Sequence, residues 1–367
     1  MTKNLIITWP VLESIYSSLV LSTPSLLRFD MNLVIEQGET LVHPFDQIIM
    51  WKEVFYQESY SKQLDFFFLD NKNNQYHILG EVNLLPFFWK DQKATIPSNL
   101  AIKDLDHLDL TRPYFNLIED NKIDRNYQFA IEQALLAFLD IKNLLPNNLN
   151  LNSTPEVEIS TLHTSHESPQ DFSGTVKIKI GQRTAKSDNI LLRSLVSKDL
   201  RIRLDANRSL TPQVLDQILE DIPASMIEYI EEPFNHVMHW MNFSRRDEFL
   251  LALDETLCDD QYLQKFNHLK NYIGALVIKP SFNSSISEVF SMLTDPNYKN
   301  IDLVLSSSYE PAQSLNTLIH LANYINKVSL KEQLAHGLGT LVQMQQQSLF
   351  SLEGTKVQAY TFSHFSL

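Results

Sequence analysis

Cysteine is nearly absent from this sequence, since Cys258 is the only one among 367 residues. A single cysteine excludes an intramolecular disulfide framework and leaves no cysteine-based zinc cluster. We expect Cys258 to be buried as a small hydrophobic residue. Positive charge is also scarce, because 30 Lys and Arg stand against 44 Asp and Glu and leave a formal net charge of −14. Proteins that bind nucleic acid or anionic membranes are normally basic, so neither is an expected partner.

Long apolar runs are missing as well. No uninterrupted stretch reaches the length of about 20 residues that a membrane span requires. Pro10 and Glu13 interrupt the first apolar run before the core of a signal peptide is complete. We therefore expect a cytoplasmic protein without a membrane partner. The hydrophobic fraction of 44% still supports a sizeable core, as one large barrel with a smaller partner or as two domains.

The first part of the chain predicts a mixed α+β unit. Apolar runs at 64–69 and 76–79 flank a polar, turn-rich cluster at 70–74, which predicts a β-hairpin. Residues 127–139 have helical propensity, with apolar positions recurring at spacings of three and four. Two prolines bracket polar turn formers at 146–155, the best candidate for a linker. We place the first domain boundary there and assign residues 1–150 to this unit.

From residue 157 onward, strand-like runs alternate with helical patterns. The strand-like runs are 157–160, 174–180, 201–205, 226–230, 250–254, 274–279 and 301–306. The helical patterns are 187–198, 212–220, 246–251, 259–271, 284–293 and 311–327. This alternation predicts βαβ units with a parallel sheet, and seven such units favour a closed barrel over an open sheet. We assign residues 151–340 to the barrel and expect 341–367 to pack back on the first domain.

Charged residues end five of these runs. The runs with their charged ends occupy 175–181, 203–207, 229–233, 253–255 and 277–280. In a parallel α/β barrel the carboxyl ends of the strands meet at one mouth, where the active site is built. A lysine pair on a strand is by itself most often a solvated edge. Five charged ends in register with a βα repeat favour a catalytic site.

The charged residues indicate a metal facing lysines. Asp205, Glu231 and Asp254 close three consecutive strands, and three such carboxylates repel unless a cation holds them. Oxygen-only ligands suit Mg²⁺, with Mn²⁺ as a substitute. Lys177 and Lys179 project to one face, and a lysine becomes a base only when a cation, a second ammonium or burial lowers its pKa. Such a site suits removal of an α-proton from a carboxylate, with a metal-stabilised enediolate.

The motifs together resemble the enolase superfamily and, within it, the o-succinylbenzoate synthase family of menaquinone-pathway dehydratases. The resemblance rests on Lys177-Ile-Lys179, Arg203-Leu-Asp-Ala-Asn-Arg208, Glu231-Glu-Pro233, Asp254-Glu-Thr256, Ile278-Lys-Pro280, Ser306-Ser-Ser-Tyr-Glu310 and His336-Gly-Leu-Gly-Thr-Leu341. It covers about residues 125–345. It implies a modified TIM-type (β/α)7β barrel with an N-terminal α+β capping domain.

The resemblance also implies a reaction and its cofactor. The reaction is the Mg²⁺-dependent syn dehydration of 2-succinyl-6-hydroxy-2,4-cyclohexadiene-1-carboxylate to o-succinylbenzoate, so the partner is a small-molecule carboxylate. The implied Mg²⁺ ligands are Asp205, Glu231 and Asp254. The implied lining of the substrate pocket is Arg203, Asn207, Ser306, Ser307 and the backbone of Gly337.

Each lysine has a separate role in that scheme. Lys179 takes the α-proton and then assists departure of the hydroxyl group as an acid. Lys279, on the opposite side, stabilises the enediolate and makes a cation–π contact with the ring. Lys177 tunes Lys179.

Other functions stay open. Lysines on two faces also suit two-base chemistry, as in a racemase or epimerase acting on an N-acylated amino acid or dipeptide, and a cycloisomerase ranks below that. An inert barrel retained as a scaffold is not favoured, since all the metal and lysine positions are intact. A metal-free Schiff-base lyase using Lys279 leaves the three carboxylates unexplained. The sequence does not determine the oligomeric state.

Overall fold

The structure is a computed structural model that describes most of the predicted barrel and part of the N-terminal unit. The described residues are 3–7, 31–51, 54–69, 75–83, 125–141, 145, 148–163, 172–259, 261–329, 331, 334–340, 351–353 and 355–359. The predicted turn at 70–74 and most of the segment 341–367 lie outside them. Among the described residues, no helix combines the length and hydropathy needed to cross a bilayer. The cytoplasmic location stays a prediction.

The N-terminal unit contains an antiparallel sheet and one helix. Its strands, in the order β1-β2-β3-β4, are Lys3–Ile7, Met31–Trp51, Val54–Leu69 and Gln75–Asn83. The predicted hairpin is confirmed, because β3 pairs antiparallel with β4. Helix α1, Arg125–Ile141, confirms the predicted helix and packs closely on β4. A side chain at Gly80 would lie 2.8 Å from the carbonyl oxygen of Ala130, so only glycine permits this approach.

A seven-stranded parallel sheet follows. Its strands in chain order, β6 to β12, are Thr161–His163, Gly174–Lys179, Leu200–Asp205, Ile227–Glu231, Leu251–Leu253, Ile273–Ile278 and Asp302–Leu305. The run at 157–160 is not the first strand of this sheet. Strand β5, Glu156–Glu158, instead pairs antiparallel with β14, Lys356–Gln358, which pairs with β13, Ser351–Glu353. The contact of 341–367 with the first domain stays a prediction.

The two edges of the parallel sheet curl toward one short segment. Ser306, after β12, forms a parallel bridge with Gly337, and Ile159, before β6, forms one with His336. The backbone N–H of Gly337 donates to the Leu305 carbonyl at 2.7 Å, and the N–H of Ser160 donates to His336 at 2.9 Å. Closure removes the exposed edges of a sheet. The fold is therefore a parallel α/β fold of the TIM type.

Helices connect the strands where the sequence predicts them, with one exception. Helices α2 to α6 are Ala185–Leu195, Pro212–Ile218, Tyr262–Leu269, Ile286–Thr294 and Ala312–Ser329. Thr211 caps α3, since its hydroxyl accepts from the N–H of Val214 at 3.3 Å. The helix expected at 246–251 is wrong: this segment forms turns and then enters β10. A few residues between a 3₁₀ turn and a strand cannot offset the cost of helix nucleation.

The expectation for Cys258 is also wrong. Its side chain is exposed at the end of a 3₁₀ turn, Glu255–Cys258. The turn leaves the mouth of the sheet directly after β10, so its last residue points away from the core. The core consists instead of aliphatic and aromatic side chains, with a separate cluster formed by Tyr229, Ala252, Ala275, Val277, Val304 and Leu334.

Polar contacts join the N-terminal unit to helix α6. Glu81, at the end of β4, is buried, and its carboxylate accepts from the Ser61 hydroxyl at 2.7 Å. Its backbone N–H donates to Gln133, which donates in turn to Thr317 on α6 at 2.8 Å. Burial raises the pKa of Glu81 to about 7, and the Ser61 bond opposes this shift only in part. The Glu81 carboxyl group therefore loses its proton only at a free-energy cost within this contact.

We expect Glu81→Gln to make the protein more stable above neutral pH. The folded state holds the Glu81 proton up to about pH 7, whereas the unfolded chain loses it near pH 4.5. Stability thus falls as pH rises through this window, by roughly 3 kcal/mol. Denaturant unfolding at about pH 5 and about pH 8.5 measures the difference. The exposed control Glu220→Gln keeps Glu81, so its stability should fall with pH as that of the wild type does, and an equal response of both variants would contradict the assignment.

Candidate active site at the carboxyl ends of the strands

The register of the sheet places the predicted site residues side by side. Lys179 on β7 pairs with Asp205 on β8, and Asp205 pairs with Glu231 on β9. Asp254 directly follows β10, and Lys279 directly follows β11. Neighbouring strands are about 4.8 Å apart, so these side chains share one mouth. The strand-end placement that the sequence predicts for all of them is confirmed.

Lysine ammonium groups lie between the carboxylates. Lys177 Nζ is 2.6 Å from Glu231 Oε1 and 3.0 Å from Asp205 Oδ2. Lys179 Nζ is 2.7 Å from the same Asp205 oxygen. On the other side, Lys279 Nζ donates to Asp254 Oδ2. The three carboxyl groups are almost completely buried, so these ion pairs are charge-assisted and poorly screened.

The pKa values of Lys177 and Lys279 move in the opposite direction from the one expected. Burial disfavours the ammonium of Lys177, but the attraction of Asp205 and Glu231 outweighs it and raises the pKa of Lys177. Burial also disfavours the ammonium of Lys279, but the combined attraction of Asp254, Glu255 and Glu231 outweighs it and raises the pKa of Lys279. These shifts belong to the arrangement in which each lysine is paired with a carboxylate. A base at this site requires a positive charge that competes for the carboxylates.

The carboxylates themselves differ. Burial and the repulsion of Asp205 raise the pKa of Glu231 to about 8. The pKa of Asp205 is lowered, because Lys177 and Lys179 outweigh its burial. Glu231 therefore carries the electrostatic cost of placing three carboxyl groups together.

The carboxylates at the mouth are candidate ligands for a divalent cation. Among the described residues, no three His, Cys, Asp or Glu side chains already converge as a metal site. However, Glu231 Oε2 is buried and has no hydrogen-bond partner within the described part of the chain. Such an atom is costly unless a ligand satisfies it. The donors are all carboxylate oxygens, the set that Mg²⁺ prefers, so the residues fit Mg²⁺.

The predicted substrate residues fall into two groups. Asn207 lies at the site, with its Oδ1 accepting from Lys179 Nζ at 2.5 Å. Ser306, Ser307 and Gly337 lie together where the sheet closes, and Ser307 Oγ donates to the Gly337 carbonyl at 3.2 Å. A side chain on Gly337 would lie 2.8 Å from Ser306 Oγ, so this contact requires glycine.

Arg203 lies deeper than the other candidates. It is 1% exposed inside the sheet, two residues before Asp205. Its guanidinium donates to Glu228 at 2.7 Å and to the Ala335 carbonyl at 2.8 Å, and it lies over the Tyr229 ring. These contacts hold the strands together below the mouth. A substrate contact for Arg203 stays a prediction.

Sequence reasoning missed residues behind the carboxylates. Glu232 is completely buried and accepts from the N–H groups of Asp254 at 2.9 Å and Thr256 at 2.7 Å. Arg208 donates to the same carboxylate at 3.0 Å. Glu232 therefore holds the backbone that carries Asp254. Glu232 is the first residue past β9, so strand alternation does not mark it, and its sequence signal is its place in the Glu231-Glu-Pro233 motif.

Known proteins give two kinds of likeness. A scan against protein-family models finds no match. The o-succinylbenzoate synthase of Aliivibrio salmonicida (strain LFI1238) is 26% identical over 285 residues, 75% of this chain and 84% of that protein.

Solved structures share the fold at lower identity. The L-Ala-D/L-Glu epimerase of Bacillus subtilis, in a substrate-liganded complex, has a TM-score of 0.63 at 15% identity and covers 89% of this chain and 95% of its own. The o-succinylbenzoate synthase of Thermosynechococcus elongatus BP-1, complexed with Mg in the active site, has a TM-score of 0.55 at 16% identity and covers 85% and 92%. The chain thus resembles o-succinylbenzoate synthases in sequence and shares its parallel α/β fold with solved structures described as enolase superfamily members.

Proposed function

We propose that this protein is a Mg²⁺-dependent o-succinylbenzoate synthase, a carbon–oxygen lyase. It dehydrates 2-succinyl-6-hydroxy-2,4-cyclohexadiene-1-carboxylate to o-succinylbenzoate in menaquinone biosynthesis. The observation that carries the proposal is the meeting of three buried carboxylates with lysines from two sides of one mouth. Sequence likeness to proteins named for this reaction supports the choice of substrate.

Asp205, Glu231 and Asp254 would hold the metal. Each is within reach of the mouth, and the buried Glu231 Oε2 offers an oxygen that no described group uses. Mn²⁺ is the expected substitute because it accepts the same oxygen ligands. When bound, Mg²⁺ would polarise the substrate carboxylate and stabilise the negative charge that develops when the α-proton leaves.

Lys179 moves the proton in this proposal. Its Nζ takes the proton from the carbon next to the substrate carboxylate, and the C–H electron pair enters the π system. The C–O bond at the hydroxyl-bearing carbon then breaks, and Lys179 returns the proton to the departing oxygen, so water leaves. Both events occur on the Lys179 face, which makes the elimination syn. Asn207 Oδ1, 2.5 Å from Nζ, orients the amine, and Lys177 sets the charge beside it.

Lys279 acts from the opposite side. Its Nζ would act as an ammonium and stabilise the enediolate and the ring. Arg203, Asn207, Ser306, Ser307 and the Gly337 backbone would line the substrate pocket.

The domain assignment completes the proposal. Residues 1–150 would form an α+β capping domain that governs specificity, 151–340 a (β/α)7β barrel, and 341–367 a segment packed on the cap. The polar contacts that join Glu81 and Gln133 to Thr317 support a cap seated on the barrel.

A racemase or epimerase is the second candidate. Lysines on opposite sides of the mouth suit removal of a proton from one face and its return to the other. The fold likeness to an L-Ala-D/L-Glu epimerase is compatible with this chemistry.

One assay separates the two candidates. The purified protein is given the cyclohexadiene substrate in Mg²⁺ and then in EDTA, and an N-succinyl amino acid and a dipeptide in parallel. We expect aromatic product in Mg²⁺ and none in EDTA. No product in Mg²⁺ would sink the dehydratase, whereas product that persists in EDTA would exclude the metal-dependent mechanism. Racemisation alone would establish the second candidate.

A further inference from the structure

We propose that Asn283 is a positioning residue that ties the Asp254 carboxylate to the backbone of Lys279. The inference deepens the proposed function and rests on it, because it treats Asp254 as a metal ligand and Lys279 as a catalytic lysine. Neither the motifs nor the predicted pocket includes Asn283. It lies in the turn between β11 and α5 and is 7% exposed.

The hydrogen bonds of the Asn283 side chain go to groups of the site. Its Nδ2 is 3.0 Å from Asp254 Oδ1 and 3.0 Å from the Val277 carbonyl oxygen. The Asp254 carbonyl oxygen lies 3.3 Å from the same nitrogen. Its Oδ1 accepts from the backbone N–H of Lys279 at 2.7 Å. Three oxygens face one end and an N–H faces the other, so the amide has one possible orientation.

Because of these bonds, the two carboxylate oxygens of Asp254 have different partners. Asn283 holds Oδ1, while Oδ2 receives the ammonium of Lys279. Asp254 lies one residue beyond the end of β10, so the regular strand geometry does not fix the direction of its side chain. Outer hydrogen bonds of this kind orient a metal-binding carboxylate and keep its lone pairs directed at the ion. Asn283 therefore presents Oδ2 to the mouth.

The same side chain anchors the lysine. Lys279 is the first residue beyond β11, where the ladder no longer binds its N–H, and Asn283 Oδ1 takes that place. An aspartate in this position would set an oxygen against the oxygens of Asp254 and Val277. Only an amide supplies both the donors and the acceptor, so one residue aligns acid and lysine together.

The turn that carries Asn283 is itself held from the N-terminal unit. The Glu132 carboxylate on α1 accepts from the N–H of Ile286 at 2.7 Å and from the Ser287 hydroxyl at 2.6 Å. It thereby caps the first turn of α5 from another element. The Asn283 N–H also donates to the Lys279 carbonyl at 3.0 Å. Both ends of the turn are fixed, so the amide has little freedom to leave Asp254.

The test compares Asn283→Ala and Asn283→Ser with Asn189→Ala. Asn189 is a matched control, because it is buried, donates to the Ile218 and Glu220 carbonyls and accepts from Arg193, all away from the site. Mn²⁺ alone is titrated into each metal-free protein and followed by electron paramagnetic resonance. We expect Asn283→Ala to bind Mn²⁺ about 10- to 100-fold more weakly than the wild type, with Asn283→Ser in between and Asn189→Ala unchanged.

A second measurement separates positioning from stability. Without metal, the temperature of thermal unfolding should fall for the Asn283 variants and for Asn189→Ala alike, since each variant loses buried hydrogen bonds. At saturating Mg²⁺, kcat of Asn283→Ala should remain about tenfold below the wild-type value, because the backbone N–H of Lys279 has also lost its hydrogen bond to Asn283.

The outcomes divide cleanly. Wild-type Mn²⁺ affinity in either folded Asn283 variant, or equal weakening by Asn189→Ala, would overturn the role of Asn283. If the wild type binds Mn²⁺ but does not dehydrate the substrate, the proposed function fails while Mn²⁺ affinity still decides this inference. A wild type that binds no Mn²⁺ would overturn both.

Discussion

Lys179→Ala and Lys279→Ala are each expected to abolish turnover while the protein stays folded. Lys179 is the group that moves the proton, and general acid–base catalysis of this kind contributes about 10²- to 10⁴-fold to the rate. Lys279 lies on the other side of the mouth, where its charge stabilises the intermediate. We expect kcat to fall by at least about 100-fold in both variants.

The measurement is steady-state turnover at saturating Mg²⁺, with circular dichroism and Mn²⁺ binding as tests of an intact site. Lys270→Ala is the control, because Lys270 Nζ donates to Asn297 Oδ1 at 2.8 Å, away from the mouth, so its loss should leave kcat unchanged. Near-normal kcat in Lys179→Ala would show that another group takes the proton. The same result in Lys279→Ala would remove that lysine from the mechanism.

Asp205→Asn, Glu231→Gln and Asp254→Asn are each expected to lose metal binding and, with it, turnover. Each change removes a negative charge from a buried site that is built of carboxylate oxygens. The loss of Mn²⁺ affinity should exceed the roughly 10- to 100-fold that removal of an outer hydrogen bond costs. Added Mg²⁺ should restore part of the activity if the fold is unchanged.

The lysine pairs make this result informative. Lys177 and Lys279 could instead pair with these carboxylates permanently, with no metal between them. In that case the Asn and Gln variants would change the stability of the protein and leave its Mn²⁺ affinity unchanged. Asp302→Asn, at the opposite end of β12, is the matched control, since Asp302 pairs with Lys331 and should affect neither metal nor turnover. Wild-type Mn²⁺ affinity in Glu231→Gln would contradict the assignment of this ligand.

Much of the barrel could be predicted because its signals are local. Strands buried on both faces read as apolar runs, and helices between them carry caps such as Thr211. The start of the parallel sheet could not be predicted. Residues 156–158 look like a strand and form one, but their partner is β14, 200 residues away along the chain. Pairing over such a separation leaves no trace in local sequence.

The residues around the candidate site divide in the same way. A lysine or carboxylate that ends a strand is visible as a break in an apolar run, so the main charged residues could be named. The local sequence around Asn283 and Glu132 shows no such break, because each side chain bonds to groups from other elements. The pKa of Lys279 could not be predicted either, since it depends on the distance to Asp254.

By itself, the sequence determined the alternation of strands and helices and the order of the charged strand ends, because burial and chain direction are local properties. The tertiary structure decided which strands close the sheet, which oxygen of Asp254 faces the mouth and how deeply Arg203 lies. Those features depend on register and on side chains from distant segments. They arise only when the curled sheet brings its two edges together.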